Sequence, residues 1–287
     1  MKFRGKMTEG GCIKQFINIV NTIARMSKTC VMRITKERIY FIISEGGLSL
    51  GNAPGLWAEL DQGHFFNEYH MEGVSEENNE IFLELQPDKF SKVLSSLKVS
   101  QAARSLKIKL TRRHTPCLTL EADLPTLSIH ARSVVHDVPV QLIPRRQWQM
   151  YSEPEMPDFG ASIYLPPLRQ LKHIVERMKS LSSHICVSAN RSGKFIVSVT
   201  TDDVDVSTHF KHLSMPVWDS QDNGEAVDLE ELHSATVDIK KFSLFLQGEQ
   251  INPTKAICNI VSGHVIQMFL LHDDVTLQYF LPAAANV

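Results

Sequence analysis

Apolar residues along this chain switch between the helical period of three to four and the strand period of two, and the order of the switches recurs four times. Lys2 to Met7 reads as a short strand. Ile13, Phe16, Ile17, Val20 and Ile23 then recur at helical spacing and predict an amphipathic helix from about Cys12 to Lys28. Cys30, Met32 and Ile34 alternate with Val31, Arg33 and Thr35, Lys36 to Arg38 makes a turn, and Ile39 to Ile43 returns as a strand. Strands near Leu56 to Leu60 and Phe65 to Met71 continue the sheet. The pattern restarts with a strand at Glu80 to Leu85 and a helix opened by Pro87 and Asp88, with Phe90, Val93, Leu94 and Leu97 on one face. Leu106 to Leu110, Cys117 to Ala122 and Ile129 to Leu142 are its strands.

Pro144 to Gly160 interrupts the pattern. Pro144, Pro154 and Pro157 remove backbone donors and hold their predecessors extended, so this stretch fits neither a helix nor a central strand and reads as a linker. Beyond it the order resumes: a strand at Ser162 to Leu165, a helix begun at Pro167 with Leu171, Ile174, Val175, Met178 and Leu181 inward, a hairpin of His184 to Ala189 and Lys194 to Val199 about a turn at Asn190 to Gly193, and a strand at Val204 to Phe210. The fourth copy has a strand at Ser234 to Ile239, a short helix at Lys240 to Gly248, and strands at Lys255 to Val261, Val265 to Leu271 and Leu277 to Leu281. Copies starting at residues 2, 80, 162 and 234 are too far apart for a solenoid and fit a duplicated subdomain. Two strand-helix-strand-strand halves per domain predict an α+β fold with antiparallel sheet on one side and helices on the other. The expected domains are 1–143 and 161–287, joined by 144–160.

At 287 residues the chain is long enough for two cores, and no apolar run approaches the roughly 20 residues of a membrane helix. The start, Met1 to Gly11, is charged and glycine-rich, with no apolar stretch of a signal peptide, so the chain is expected inside the cell. Five scattered cysteines, Cys12, Cys30, Cys117, Cys186 and Cys258, lie in apolar surroundings and read as buried free thiols. The sequon at Asn190 to Ser192 reads as a turn.

Charge changes the picture more than composition does. The expected helices at 12–28, 88–104, 167–180 and 239–249 carry net charges of +3, +3, +3 and +1, so in a chain of net −2 everything else carries −12. In the first, Lys14, Asn18, Asn21, Arg25 and Lys28 form one stripe opposite the apolar one. Any single such face is an ordinary solvated surface; four together fit a polyanion. No exposed aromatics are interleaved as a single-strand platform would need, so backbone contact to duplex is the better match.

Sites for chemistry are weaker. His209 and His212 near Asp202, Asp203 and Asp205 match no zinc or calcium spacing. Cys12 or Cys186 paired with one of twelve histidines would make a thiol enzyme, but nothing in the spacing selects a pair. The loop Glu45 to Gly55 lacks a Gly-Lys-Ser/Thr, and no cofactor is implied.

Met1 to Arg4, Phe65 to Tyr69, Met71 to Glu80, His136 to Pro144, Ile163 to Pro166, Asn252 to Ile260 and Asp274 to Pro282 carry a resemblance that spans nearly the whole chain. The architecture resembles the sliding clamps of DNA replication, and the stretches resemble the Hus subunit family of the nine-one-one DNA-damage checkpoint clamp or its close paralogue. That resemblance implies a non-enzymatic subunit, without metal or cofactor, of a six-domain ring formed with Rad-nine and Rad-one around duplex DNA. Helices would line the bore and sheets would lie outside. A Rad-seventeen-type clamp loader would place the ring at damage sites, where it signals to checkpoint kinases and recruits repair enzymes. The expected location is the nucleus, with room for a cytoplasmic pool, and away from membrane.

The residues expected to face DNA are Lys14, Arg25, Lys28, Lys89, Lys92, Arg169, Lys172, Lys179, Lys240 and Lys241. The expected subunit edges are Ile129 to His136, with Ile129, His130, Arg132, Val134 and His136, and Val204 to His209, with Val204, Val206 and Thr208. In the linker, Arg145, Arg146, Trp148 and Tyr151 depart from the acidic and apolar connector of replicative clamps. A homotrimeric processivity clamp is an alternative within the same class, and a metal- or thiol-dependent nucleic-acid hydrolase is one outside it.

Overall fold

The computed structural model describes residues 1–44, 55–98, 104–112, 114–124, 132–153, 158–217 and 228–284. The glycine-rich loop, Ile129, His130 and most of the acidic loop lie outside the described residues. The chain divides into two compact units, the first made of Met1–Ser44 and Leu56–Glu153, the second carrying the C-terminal half from Pro154.

In the first unit one copy of the repeat comprises β1 (Lys2–Met7), α1 (Gly10–Met26), β2 (Cys30–Ile34), β3 (Arg38–Ile43) and β4 (Leu56–Asp61), extended by α2 (Gln62–Phe65) and β5 (Glu68–Glu72). The other comprises β6 (Ile81–Leu85), α3 (Pro87–Lys98), β7 (Ser105–Arg112), β8 (Pro116–Leu124) and β9 (Arg132–Leu142). Each copy gives its first strand to the other. β1 pairs with β7, with Gly5 opposite Ile108, and β6 pairs with β2, with Leu83 opposite Met32. The resulting antiparallel orders are β5-β1-β7-β8 and β4-β3-β2-β6. β9 joins them, pairing with β8 over Arg132 to Pro139 and with β6 over Val140 to Leu142.

The second unit repeats the exchange with β10 (Ala161–Tyr164), α4 (Leu168–Met178), β11 (His184–Ala189), β12 (Phe195–Thr200), β13 (Asp205–Phe210), β14 (His233–Asp238), α5 (Ile239–Leu246), β15 (Lys255–Val261), β16 (Val265–His272) and β17 (Val275–Pro282). β10 pairs with β15 and β14 with β11, giving β10-β15-β16-β17 and β13-β12-β11-β14.

Helices cover one face of these sheets because each carries an apolar stripe. α1 buries Cys12, Ile13, Phe16, Ile17, Ile19, Val20 and Ile23. Phe16 is fully buried, with the rings of Phe41, Phe65, Phe66 and Phe90 at 6.1–6.3 Å, mostly edge-on. In the second unit Phe245 of α5 stacks on Tyr279 of β17 at 6.1 Å, and α4 buries Leu171, Val175 and Met178.

Several elements differ from the sequence reading. Phe65, expected to open a strand, ends the one-turn α2; Asp61 Oδ1 accepts from Gly63 N at 2.7 Å and caps that turn. α1 stops at Met26, because Ser27 turns extended, so Lys28 lies in the following loop. α3 is described as far as Lys98, and Arg104 precedes β7, its N–H donating to Asp123 O. With these limits α1, α3, α4 and α5 each carry a net +2. Val204 is not part of β13; it closes a turn with Thr201. Within the linker, Arg145–Tyr151 forms a 3-10 helix, since the prolines flank a proline-free run and Pro144 O accepts from Gln147 N at 2.9 Å.

The sequon asparagine makes the hairpin turn and is wholly buried. Asn190 Oδ1 accepts from Ser192 N and Lys194 N, and Gly193 takes φ +90°, a conformation that favours glycine.

Cys12, Cys30, Cys117 and Cys258 are buried and Cys186 is half-buried. Burial raises the Cys258 thiol and, partly offset by a hydrogen bond with the Ile42 backbone, pushes Cys30 up to about 12, leaving almost no thiolate at neutral pH. Mass spectrometry after brief iodoacetamide treatment at pH 7.5 should find Cys186 alkylated first. Cys30 and Cys258 should react only in denaturant; early labelling of either would contradict this packing.

Candidate nucleic-acid interface and assembly edges

The helices pack in pairs with a polar contact at each seam. In the first unit Ser91 and Ser95 of α3 donate to Asn21 Oδ1 of α1 at 2.6 and 3.4 Å. Asn21, expected on the outward basic stripe, is therefore drawn to the seam and half-buried, while Lys14 and Arg25 remain exposed. In the second unit Ser243 of α5 donates to Glu176 of α4 at 2.6 Å. Asp238 accepts from Lys240 N and Lys241 N at 2.7 and 3.0 Å and caps α5.

Cations on sheet and helix faces have different partners. Across the outward face of β5-β1-β7-β8, acids stand beside the lysines and arginines. Lys2 meets Glu72 at 2.8 Å, Arg4 and Lys6 share Glu68 at 2.9 and 3.2 Å, and Lys109 and Lys107 share Glu121 at 2.8 and 3.5 Å. Hydrogen bonds from Lys6, Lys2 and Lys109 hold Glu68, Glu72 and Glu121 below the usual carboxylate range, so all three are ionised at neutral pH.

On the helices, Lys14, Lys89, Lys92, Arg169 and Lys240 are exposed and, among the described residues, none has a carboxylate within ion-pair distance; the same holds for Lys28 in its loop. Two expected members differ. Lys172 is half-buried and lies 3.6 Å from Glu249, and Lys179, at the end of α4, lies 3.7 Å from Glu176. Lys241 is half-buried. The helix spacing alone could not show Glu249, which reaches α4 from the 3-10 turn after α5.

Among the described residues β13 ends its sheet, paired only with β12, with Val206 and Thr208 half-buried and Asp205, Ser207 and His209 exposed. Val204 lies beyond the strand. β9 is more complicated, because it is interior in strand order. Its Arg132 to Pro139 half pairs with β8, and among the described residues only Val140 to Leu142 pair with β6. Among the described residues the Arg132 to Val138 segment, with Val134 and His136 half-buried, is thus unpaired on one side. A third edge, β5, pairs only with β1 among the described residues and was not anticipated.

The linker residues divide. Arg145 and Arg146 are exposed, whereas Trp148 and Tyr151 pack on the first unit. The thiol alternative finds one juxtaposition, Cys12 Sγ 3.9 Å from His64 Nε2, but Cys12 is 6% exposed and its Sγ donates to His64 O at 3.4 Å. Among the described residues no three acidic, histidine or cysteine side chains converge as a metal site, and Ser207 Oγ lies 3.1 Å from His209 Nε2. No helix among the described residues is long and apolar enough to cross a membrane.

Two units, each a pair of strand-exchanged copies with helices on one face, define a sliding-clamp fold. The crystal structure of Proliferating Cellular Nuclear Antigen from Entamoeba histolytica superposes with a TM-score of 0.70 over 99% of both chains, at 12% identity. The chain belongs to the Hus1-like protein family, whose model matches residues 1–285. It is 45% identical over 287 residues to Checkpoint protein HUS1 of Homo sapiens, covering 99% of each. It is 32% identical to Checkpoint protein Hus1-like of Drosophila melanogaster, again over 99% of each, and 27% identical over 220 residues to Checkpoint protein hus1 of Schizosaccharomyces pombe, covering 76% of this chain and 72% of that one. The family is that of a non-enzymatic checkpoint clamp subunit, and neither the homotrimeric clamp nor the hydrolase gains support.

Cap and cation roles on α5 can be separated. Asp238→Ala should lower stability by about 1 kcal/mol in urea unfolding, since two backbone donors lose their acceptor. Lys240→Gln should leave the midpoint within error, because its side chain makes no contact that folding requires.

Proposed function

We propose that this chain is the Hus-type subunit of a heterotrimeric ring with Rad-nine and Rad-one, built from clamp domains 1–143 and 161–287. Its helices face duplex DNA in the bore, a Rad-seventeen-type loader places the ring at damage sites in the nucleus, and the ring passes the signal to checkpoint kinases. The observation that carries this reading is the split in cation pairing. The sheet-face cations spend their charge on acids 2.8–3.5 Å away, whereas Lys14, Lys89, Lys92, Arg169 and Lys240 meet none among the described residues. A surface of unpaired cations on rigid helices binds polyanion through counterion release, without reading sequence.

The assembled ring on end-blocked duplex tests this. Replacing Lys14, Lys92, Arg169 and Lys240 by Gln should weaken association and flatten the log-affinity against log-salt slope by roughly 0.9 for each phosphate no longer neutralised. An unchanged slope would return these residues to an ordinary solvated face.

Assembly rests on the unpaired backbone of β9 and β13, since open strand edges recruit further strands. Proline at Ser133 or Val206 should stop ring formation in size-exclusion of the three co-expressed subunits while the isolated chain keeps its circular dichroism. A ring that still forms with both changes would place the subunit contacts elsewhere.

A further inference from the structure

We infer that the cation-lined cavity beside the edge strand β5 is a docking site for an acidic, extended peptide segment of a partner protein. The inference is independent of the ring and its DNA.

The cavity, of about 610 Å³, is lined by residues of β7, β1 and β5 and by Lys36 in the turn between β2 and β3. Lys2, Arg4, Lys36 and Lys109 stand in that lining against one carboxylate, Glu72. The acids that hold Arg4 and Lys109, Glu68 and Glu121, lie outside the lining, and each is shared with a further lysine. Lys36 is exposed and, among the described residues, has no carboxylate within ion-pair distance. The cavity therefore keeps a positive potential that the chain itself does not quench, and a concave wall concentrates it.

The cations are held in place. The Tyr69 hydroxyl of β5 donates to Thr35 O at 2.6 Å, which ties the turn carrying Lys36 to the edge strand, and the Tyr69 ring meets Phe3 of β1 edge-on at 5.6 Å. Lys2, Arg4 and Lys109 stand on paired strands, with Arg4 opposite Lys109. Met71 and Leu110, both half-buried, add apolar surface to the lining, so the site suits a segment with apolar side chains between its charges.

Two features select a peptide over nucleic acid. β5 pairs only with β1 among the described residues, so a segment lying against it meets open backbone donors and acceptors; a peptide backbone answers both, whereas a sugar-phosphate backbone has no donors. Lys36 also lines a second cavity, of about 440 Å³, together with Glu37, Glu76, Glu77 and Glu80. A duplex laid over Lys36 would bring phosphates against those four carboxylates, whereas a single extended peptide along β5 stays on the cationic side. The partner segment carries aspartate or glutamate at alternate positions, because alternate side chains of an extended chain share a face.

The probe is a fluorescein-labelled Gly-Glu-Val-Glu-Val-Glu-Val-Gly peptide, titrated by anisotropy against the full chain at low salt. The parent chain should bind it with an affinity that falls as salt rises, and the same peptide with lysine in place of glutamate should not bind. Lys36→Glu should weaken binding at least tenfold, while Lys211→Glu, an equal charge change at an exposed lysine of the second unit, should stay within twofold of the parent. Should Lys36→Glu unfold among the neighbouring glutamates, Lys36→Gln keeps the test, with at least a threefold loss and an unchanged urea midpoint. A blunt duplex should not displace the peptide. No binding by the parent, an equal loss in Lys211→Glu, no loss in the Lys36 variants, or displacement by duplex overturns the proposal.

Discussion

The structure depends on the reciprocal exchange of first strands. β1 completes the sheet of the copy that begins at β6, and β6 completes the sheet of the copy that begins at β1; β10 and β14 do the same in the second unit. A single copy would therefore leave one sheet edge unpaired and its helix half covered, so a copy is not a folding unit. The pairings are also distant in sequence, with Arg4 opposite Lys109 and Ile163 opposite Cys258. Closing such loops costs entropy before the ladder returns anything, which favours all-or-none formation of each unit over stepwise growth.

The exchange places the helices together on one side and so decides which charges stay unpaired. On a sheet, neighbouring strands put side chains about 5 Å apart, and here the neighbours are of opposite sign: Lys2 opposite Glu72, Lys6 opposite Glu68, Lys107 opposite Glu121. On the helices the neighbours at the seams are serine, asparagine and glutamate, and most cations point away from them. Exposed ion pairs are each worth only about 0–1 kcal/mol, so the sheet ladder contributes little stability. Its effect is to neutralise one face while the four helices each keep a net +2.

How much of this was legible in the sequence follows from the range of the forces involved. α3 starts at Pro87 because proline suits a first helical turn, and β15 runs from Lys255 to Val261 because alternation is local. α2 was missed since four residues cannot show a period, although Asp61 before Gly63 was a cap signal. Strand exchange leaves no local trace, because β1 would read identically beside β2 or β7. The basic helices were legible from charge alone, but the withdrawal of Asn21 to the seam and of Lys172 to Glu249 required the partner elements in place. Trp148 read as a linker residue; its stack on Phe82 joins positions 66 apart, beyond any spacing rule.

The two sides of the sheets are under different constraints. Helix-facing strand positions must fill a close-packed core, and most of them are apolar, from Met32 and Phe41 to Val187 and Met268. The outward positions are free of that demand, and the four sheets use them in four ways. β5-β1-β7-β8 carries a ladder of lysines and glutamates; β13-β12-β11-β14 carries Cys186, Ser188, Ser198, Ser207 and Thr236. β10-β15-β16-β17 carries a buried amide chain, Ser162 to Asn259 to Gln267 to Gln278, at 2.6, 3.3 and 3.5 Å. That same face also carries Tyr164, Phe269 and Phe280, and β4-β3-β2-β6 carries Tyr40, Trp57 and Phe82. Trp148 and Tyr151 of the 3-10 helix pack on that cluster by two rings, without adding a strand to the sheet.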